Sequence, residues 1–342
     1  MAGQRWPALT FECRRFLSNQ AAPVRPLQGS SMLHRLYKLC ATALVAAALA
    51  PSMAGANDDR YEEAEAVARC ASGPAENAAR TDGYSLKSVL RVVGLTADGQ
   101  LVCFSDRRPN KLRIIGAING LAGDSRLLAI DFRVQDGLLY GLGNSGGIYQ
   151  IDTANALATR IGGLTVPLSG TSTTIDFNPA ANALRIVGND GQNLRQSFAV
   201  MPLAATATDG VLNFTTTATP GPAAPGIVGA AYTNNDLDAS TATTLFVLDG
   251  AADRIAVQSP ANSGFLVPTG NLGVDAVAQA GFDIYSLLRG NVTVDQRALA
   301  ALAVAGVTGL YDINLLTGKA TLRGAIGGAS PVISIAIPHR QL

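Results

Sequence analysis

Three aspartates stand in matching surroundings along this chain. Asp131 lies in IDF, Asp176 in IDF and Asp283 in FDI, each between large apolar residues. A carboxylate set into a run that folding buries needs hydrogen bonds or a cation. Two readings follow: a repeated bond to neighbouring backbone or to an arginine such as Arg185, or a ring of acids that binds a cation. Carboxylate and carbonyl oxygens suit calcium. A second candidate is Asn234-Asn235-Asp236-Leu237-Asp238, where Asn234, Asp236 and Asp238 put oxygen atoms at alternate positions, as at the start of a calcium loop. The match stops there, because Ala239 stands where such a loop needs glycine and no acid follows at the twelfth place. A capped loop between strands is the other reading.

The third candidate is the polar stretch IDFNPAANALRIVGNDGQNLR, Ile175 to Arg195. It aligns without a gap on IDFRVQDGLLYGLGNSGGIYQ, Ile130 to Gln150, after a shift of 45 residues. Within that frame Tyr140, Gly147, Ile148 and Gln150 are replaced by Arg185, Gln192, Asn193 and Arg195. Polar groups in place of apolar ones suggest either a network between repeats or a ligand surface made from Asn178, Arg185, Gln192, Asn193 and Arg195.

What is missing narrows the chemistry. From Asn57 onward the only histidine is His339, three residues from the end, so mechanisms that need a held imidazole have no good candidate. No glutamate follows Glu76, and the single tryptophan is Trp6. Hydrolysis by paired carboxylates stays open to aspartates. There is no GxxxxGK[ST] loop and no GxGxxG in a strand-to-helix setting, so nucleotides have no visible cradle. Six of the 26 basic residues and one of the 25 acidic residues precede Asn57, leaving 20 against 24 and a net charge of −4 beyond it. With no basic patch, nucleic acid is not an expected partner.

The elements that must position these residues begin after an export signal. Met32 to Ala56 has a basic start in His34, Arg35 and Lys38, an apolar run from Leu39 to Ala50, and an Ala54-Gly55-Ala56 cleavage pattern. The apolar core is too short to span a bilayer. Residues 1–31 read as an upstream extension from a misassigned start, 32–56 as the signal peptide, 57–83 as a helical segment and 84–342 as the main domain. Export to the periplasm or the exterior permits a Cys70–Cys103 disulfide, and no membrane span is expected.

Beyond Tyr84 short Val, Ile, Leu, Phe and Thr runs alternate with Gly, Asn and Asp turns. Leu142 to Gly163 resembles Val304 to Gly328, and Leu95 to Phe104 carries another copy of the turn. A repeat of about 45 residues with four short strands is the mark of a β-propeller. The fold expected is all-β, a propeller of five four-stranded blades closed by the C-terminal strand PVISIAIP and preceded by a signal peptide and a short helix. Six blades or a β-sandwich are the alternatives. The strands assigned to the third blade are TTIDFN, ALRIVG, NLRQSF and VLNFTT. Those of the fifth are GFDIYS, ALAVAG, GLYDIN and ATLRGA.

The stretches DFNPAANALRIVGNDGQNLR, AAYTNNDLDASTATTLFVLD and GFDIYS resemble a family of bacterial exported proteins, the domain of unknown function family numbered 4394. The likeness runs from about Val92 to Pro338. It implies a secreted, propeller-like domain and supplies no catalytic residues. The function expected is a monomeric, non-catalytic binding or scaffold module of the cell envelope, acting on an envelope ligand or protein. The alternative is a calcium-assisted hydrolase of the lactonase kind, using channel aspartates.

Overall fold

The computed structural model describes residues 89–214, 223–238 and 240–341. The expected signal peptide, the expected helical segment and Cys70 lie outside them. Five antiparallel sheets of four strands form a five-bladed β-propeller. The first blade holds β1 (Arg91–Thr96), β2 (Gln100–Ser105) and β3 (Arg108–Ala117). The second holds β4 (Leu127–Phe132), β5 (Leu139–Gly143), β6 (Gly147–Ile151) and β7 (Ala158–Gly163). The third has β8 (Thr173–Asn178), β9 (Ala183–Gly188), β10 (Asn193–Ser197) and β11 (Ala207–Thr208). In the fourth are β12 (Ile227–Tyr232), β13 (Leu245–Asp249), β14 (Arg254–Gln258) and β15 (Leu266–Asn271). The fifth has β16 (Ala276–Arg289), β17 (Val292–Val304), β18 (Val307–Ile313) and β19 (Ala320–Ala325).

The last strand, β20 (Val332–Ala336), joins the first blade as its innermost strand, in the order β20-β1-β2-β3. The two ends of the domain therefore share a sheet, which closes the ring and removes a free edge. The inner strands β4, β8, β12, β16 and β20 each touch the next around the axis. The core is correspondingly divided into five apolar clusters, one for each contact between blades.

A ring of only five blades brings its inner strands close together. Two positions before the first aspartate, and at the matching places of the other inner strands, stand Ala129, Thr174, Gly229, Gly281 and Ser334, all small. A Cβ on Gly281 would lie 2.6 Å from the backbone nitrogen of Ile335, and one on Gly229 would lie 2.7 Å from Cβ of Phe282. The turns of the repeat use glycine for a different reason. Gly99, Gly146 and Gly191 occupy the same turn place with φ of +80°, +87° and +95°, where a side chain is strained.

Two strand assignments need correction. The outer strand of the third blade is Ala207–Thr208 and not VLNFTT. Asp209, next along, donates its amide to Asn193 and binds two arginines with its carboxylate, which fixes the chain against β10 at this point. Leu212 is instead fully buried in the cluster between blades three and four. In the fifth blade, β16 and β17 continue pairing past the expected strand ends as far as Arg289 and Val292. They form a long hairpin that no other blade has. No helix among the described residues is long and apolar enough to cross a membrane.

Gly281→Ala should destabilise the domain by about 1–3 kcal/mol, because the intruding methyl meets backbone that cannot rotate away. Gly324→Ala, where the nearest atom is 3.4 Å away, is the control and should stay within about 0.5 kcal/mol. Urea unfolding of both variants measures the difference, and equal stabilities would refute the packing argument.

Candidate functional site

The repeat register puts Asp131, Asp176, Ala231, Asp283 and Ala336 at one equivalent place on β4, β8, β12, β16 and β20. Each aspartate accepts an amide proton from the next blade. Asp131 Oδ2 accepts from Phe177 N at 2.7 Å, Asp176 Oδ1 from Tyr232 N at 2.9 Å, and Asp283 Oδ2 from Ile337 N at 2.6 Å. Ala231 and Ala336 cannot make this bond. The amides they would have reached, Ile284 N and Phe132 N, are taken by Oδ1 of Asp283 and of Asp131. All five equivalent amides are thus satisfied by three carboxylates.

The three acids also meet. Each offers an oxygen within 4.8 Å of the others, and they are 3–5% exposed. All the donors they receive are backbone amides, and no arginine or lysine pairs with them among the described residues. Burial raises the pKa of Asp131 well above the carboxylate range, and repulsion from Asp283 adds to it. Asp176 is raised by burial and then by Asp131 and Asp283. Asp283 is pushed up by burial to about 7. The amide bonds work against these shifts but do not cancel them. Such a group holds protons more tightly than usual and would also suit one hard cation, since three blades direct oxygen to one point.

The other expected residues do different things. Asn234 exchanges two bonds with Gln296, Asn235 binds Ser286 Oγ and Ile284 O, and buried Asp236 accepts from the Thr293 amide and hydroxyl. Asp238 accepts from Ser240. The loop that resembles a calcium loop spends these oxygens on clamping blade four to the long hairpin and on its own turn.

The polar stretch Ile175 to Arg195 divides. Asn178 caps a turn at Ala181, and Gln192 ties the connector at Pro167 and Ser169. Arg185, 2% exposed, donates to Asp209 at 2.6 Å, Asn262 at 2.6 Å, Asn193 at 2.8 Å and Tyr232 Oη at 3.2 Å. Asn193 also receives Gln258 and donates to Gly210 O and Ala261 O. Arg195, paired with the same Asp209, has 37% of its side chain exposed, and Asn178 and Gln192 are also partly exposed. The five residues do not form one surface, because an interface between blades has taken Arg185 and Asn193. Tyr140, at Arg185's place in blade two, packs edge-on against Phe177 and Phe198 instead. Asp209 and Asn262 complete the network without having been singled out, and the Asp209-Gly210 turn signal was the only hint of either. Asp106 carries no such signal in the sequence. It is buried in blade one and bridged by Arg297 and Arg323 of blade five at 2.6 and 2.9 Å.

The family profile of the domain of unknown function DUF4394 matches residues 100–336. No curated protein matches the sequence. Among solved structures, a protein of unknown function from Bacteroides thetaiotaomicron is similar at 10% identity and a TM-score of 0.40, over 71% of this chain and 55% of its own. An auxiliary nutrient binding protein from Bacteroides ovatus is similar at 14% identity and a TM-score of 0.34, over 52% of this chain and 46% of its own. A protein from Lactobacillus plantarum gives 11% identity and 0.38 over 73% and 99%. The chain thus spans about half the length of the first two, and likeness this low carries no argument about what it does.

Two measurements test the site. The folded protein holds protons on the axial acids at pH values where the unfolded chain, with carboxyls near 3.8, has lost them. Stability from this source is full below about pH 4 and falls as the pH rises toward and through about 7. His339, which burial pushes down, works in the opposite sense. In chelator-treated protein the melting temperature should fall from pH 5 to pH 8, and Asp283→Asn should flatten that fall; an unchanged slope in the variant would refute it. Arg185→Met should cost about 1–3 kcal/mol, since it leaves Asp209 with Arg195 alone and takes the donor from the Asn262 oxygen. Denaturant unfolding that gives less than about 0.5 kcal/mol for the single change would remove the network from the account.

Proposed function

We propose that this chain, which belongs to the DUF4394 family, is an exported, non-catalytic binding or scaffold propeller of the cell envelope, with calcium held by its axial aspartates. The observation that carries the reading is the meeting of Asp131, Asp176 and Asp283. Three blades each give one acid to one place, and each acid is already bound to the neighbouring blade. A cation there would relieve the repulsion and tie the blades together from the axis. When bound, it would supply positive charge and oxygen coordination, completed by ligands beyond the three carboxylates. Metal-assisted hydrolysis by the same aspartates is the competing reading. It needs a substrate to reach the metal, and residues 3–5% exposed do not favour that.

Export rests on the basic start, apolar run and A-x-A pattern of Met32 to Ala56. The exported monomer would begin near Asn57 and carry the Cys70–Cys103 disulfide. Its partner would be an envelope glycan or protein, since the net charge of −4 beyond Asn57 gives no grip on nucleic acid.

Residues 57–342, stripped of metal, should melt higher when calcium is added, by roughly 2.7 kcal/mol of stability at a hundredfold excess over the dissociation constant. Asp176→Asn should lose that response. No calcium shift together with no metal by elemental analysis would sink the cation. Lactone or ester turnover that disappears in Asp176→Asn would replace the binding reading with the hydrolase. The mass of the protein recovered from the envelope tests both the Asn57 start and the disulfide, and retention in the cytoplasm would contradict export.

A further inference from the structure

In the fifth blade β17 runs on to Val292 after its partner β18 has ended at Ile313 opposite Ala298. The step between them leaves a notch of about 340 Å³. Gln296 and Arg297 line it from the extended part of β17, Asp312 from β18, Asn314 and Lys319 from the turn beyond, and Thr321 from β19. This space is separate from the axial carboxylates and takes no part in the reading above.

Its charge is specific. Arg297 and Arg323 converge on Asp106 Oδ2 at 2.6 and 2.9 Å, and Arg323 Nε also holds Asp312 at 2.7 Å. Arg107 acts on Asp106 as well. Asp106 is thus shared by two arginines and Asp312 is held by one of them, while Lys319, exposed and in no ion pair among the described residues, adds a further charge. Three cations, Arg297, Arg323 and Lys319, stand against two acids, Asp106 and Asp312. Neutral groups surround this excess. The side-chain oxygen of Asn314 is occupied by the amides of Leu316 and Thr317, which leaves its nitrogen to donate, and Thr321 supplies a hydroxyl. A notch of this size accepts a small molecule.

We propose that the notch binds a small organic carboxylate that carries hydroxyl groups, such as a uronic acid. Its carboxylate sits toward Lys319 and Arg297, and its hydroxyls meet the Asn314 amide and the Thr321 hydroxyl. Guanidinium and ammonium groups bind carboxylate by charge-assisted hydrogen bonds, so affinity falls as salt rises.

Calorimetric titration of residues 57–342 with glucuronate, glucose and inorganic phosphate tests this. Glucuronate should bind, glucose should not, and phosphate should bind more weakly than glucuronate. Lys319→Met should weaken glucuronate by roughly tenfold, about 1.4 kcal/mol, with the melting temperature unchanged. Thr321→Val should also weaken it, and Leu316→Ser, on the same turn but away from the charges, should leave it alone. The proposal is overturned if glucuronate does not bind, if glucose binds equally well, if phosphate binds more tightly, or if neither Lys319→Met nor Thr321→Val changes the affinity. The calcium response of the axial site is read separately by melting, so either result stands without the other.

Discussion

The structure depends on one hydrogen bond made three times, from a carboxylate on an inner strand to an amide on the inner strand of the next blade. A propeller has no continuous sheet to hold its blades together, so side chains must supply most of each contact between blades, with a few backbone bonds from the connectors beside them. Apolar clusters provide most of the adhesion at these contacts, and they are tolerant of small slips. A carboxylate bonded to one particular amide is not. It sets the register of the blades around the axis, where the strands are closest and only residues such as Gly229 and Gly281 allow the approach.

The same economy of space creates the unusual electrostatics. Five blades form a ring so narrow that residues sharing one register position face one another. Three acids at that position must then carry protons or share a cation, because burial removes the water that would separate their charges. Two alanines at the remaining places limit the crowding. The cost of burying the acids is offset by saturating the five equivalent amides, so one feature both locks the ring and raises the proton affinity of its acids.

Away from the axis, residues that resemble ligand chemistry serve as joints. Both faces of an inner blade region are covered, so a polar side chain there must find protein partners or cost free energy. Arg185 meets this demand with Asp209, Asn193, Asn262 and Tyr232, and the loop from Asn234 to Asp238 meets it against the long hairpin. The equivalent asparagines of two turns behave alike: Asn144 holds Ser125 and Arg126, and Asn189 holds Thr171 and Ser172. Much of the fold is legible in the amino-acid sequence, because the repeat period sets the blade count and the place of β20. The equivalence of Asp131, Asp176 and Asp283 was legible too. Their amide partners were not, since those partners lie 46 to 56 positions away and depend on the register between sheets. The short β11, the extended hairpin and the Asp106 bridges depart from the repeat, so a reading built on self-similarity had no template for them.

Amide hydrogen exchange at Phe177, Tyr232 and Ile337 tests the axial lock most directly. If the carboxylates hold the ring together, these three amides exchange only through global unfolding, with protection equal to that of the most protected strand residues. Asp176→Asn should lower protection most at Tyr232. Exchange at the rate of surface turns in the unmodified protein would contradict the account.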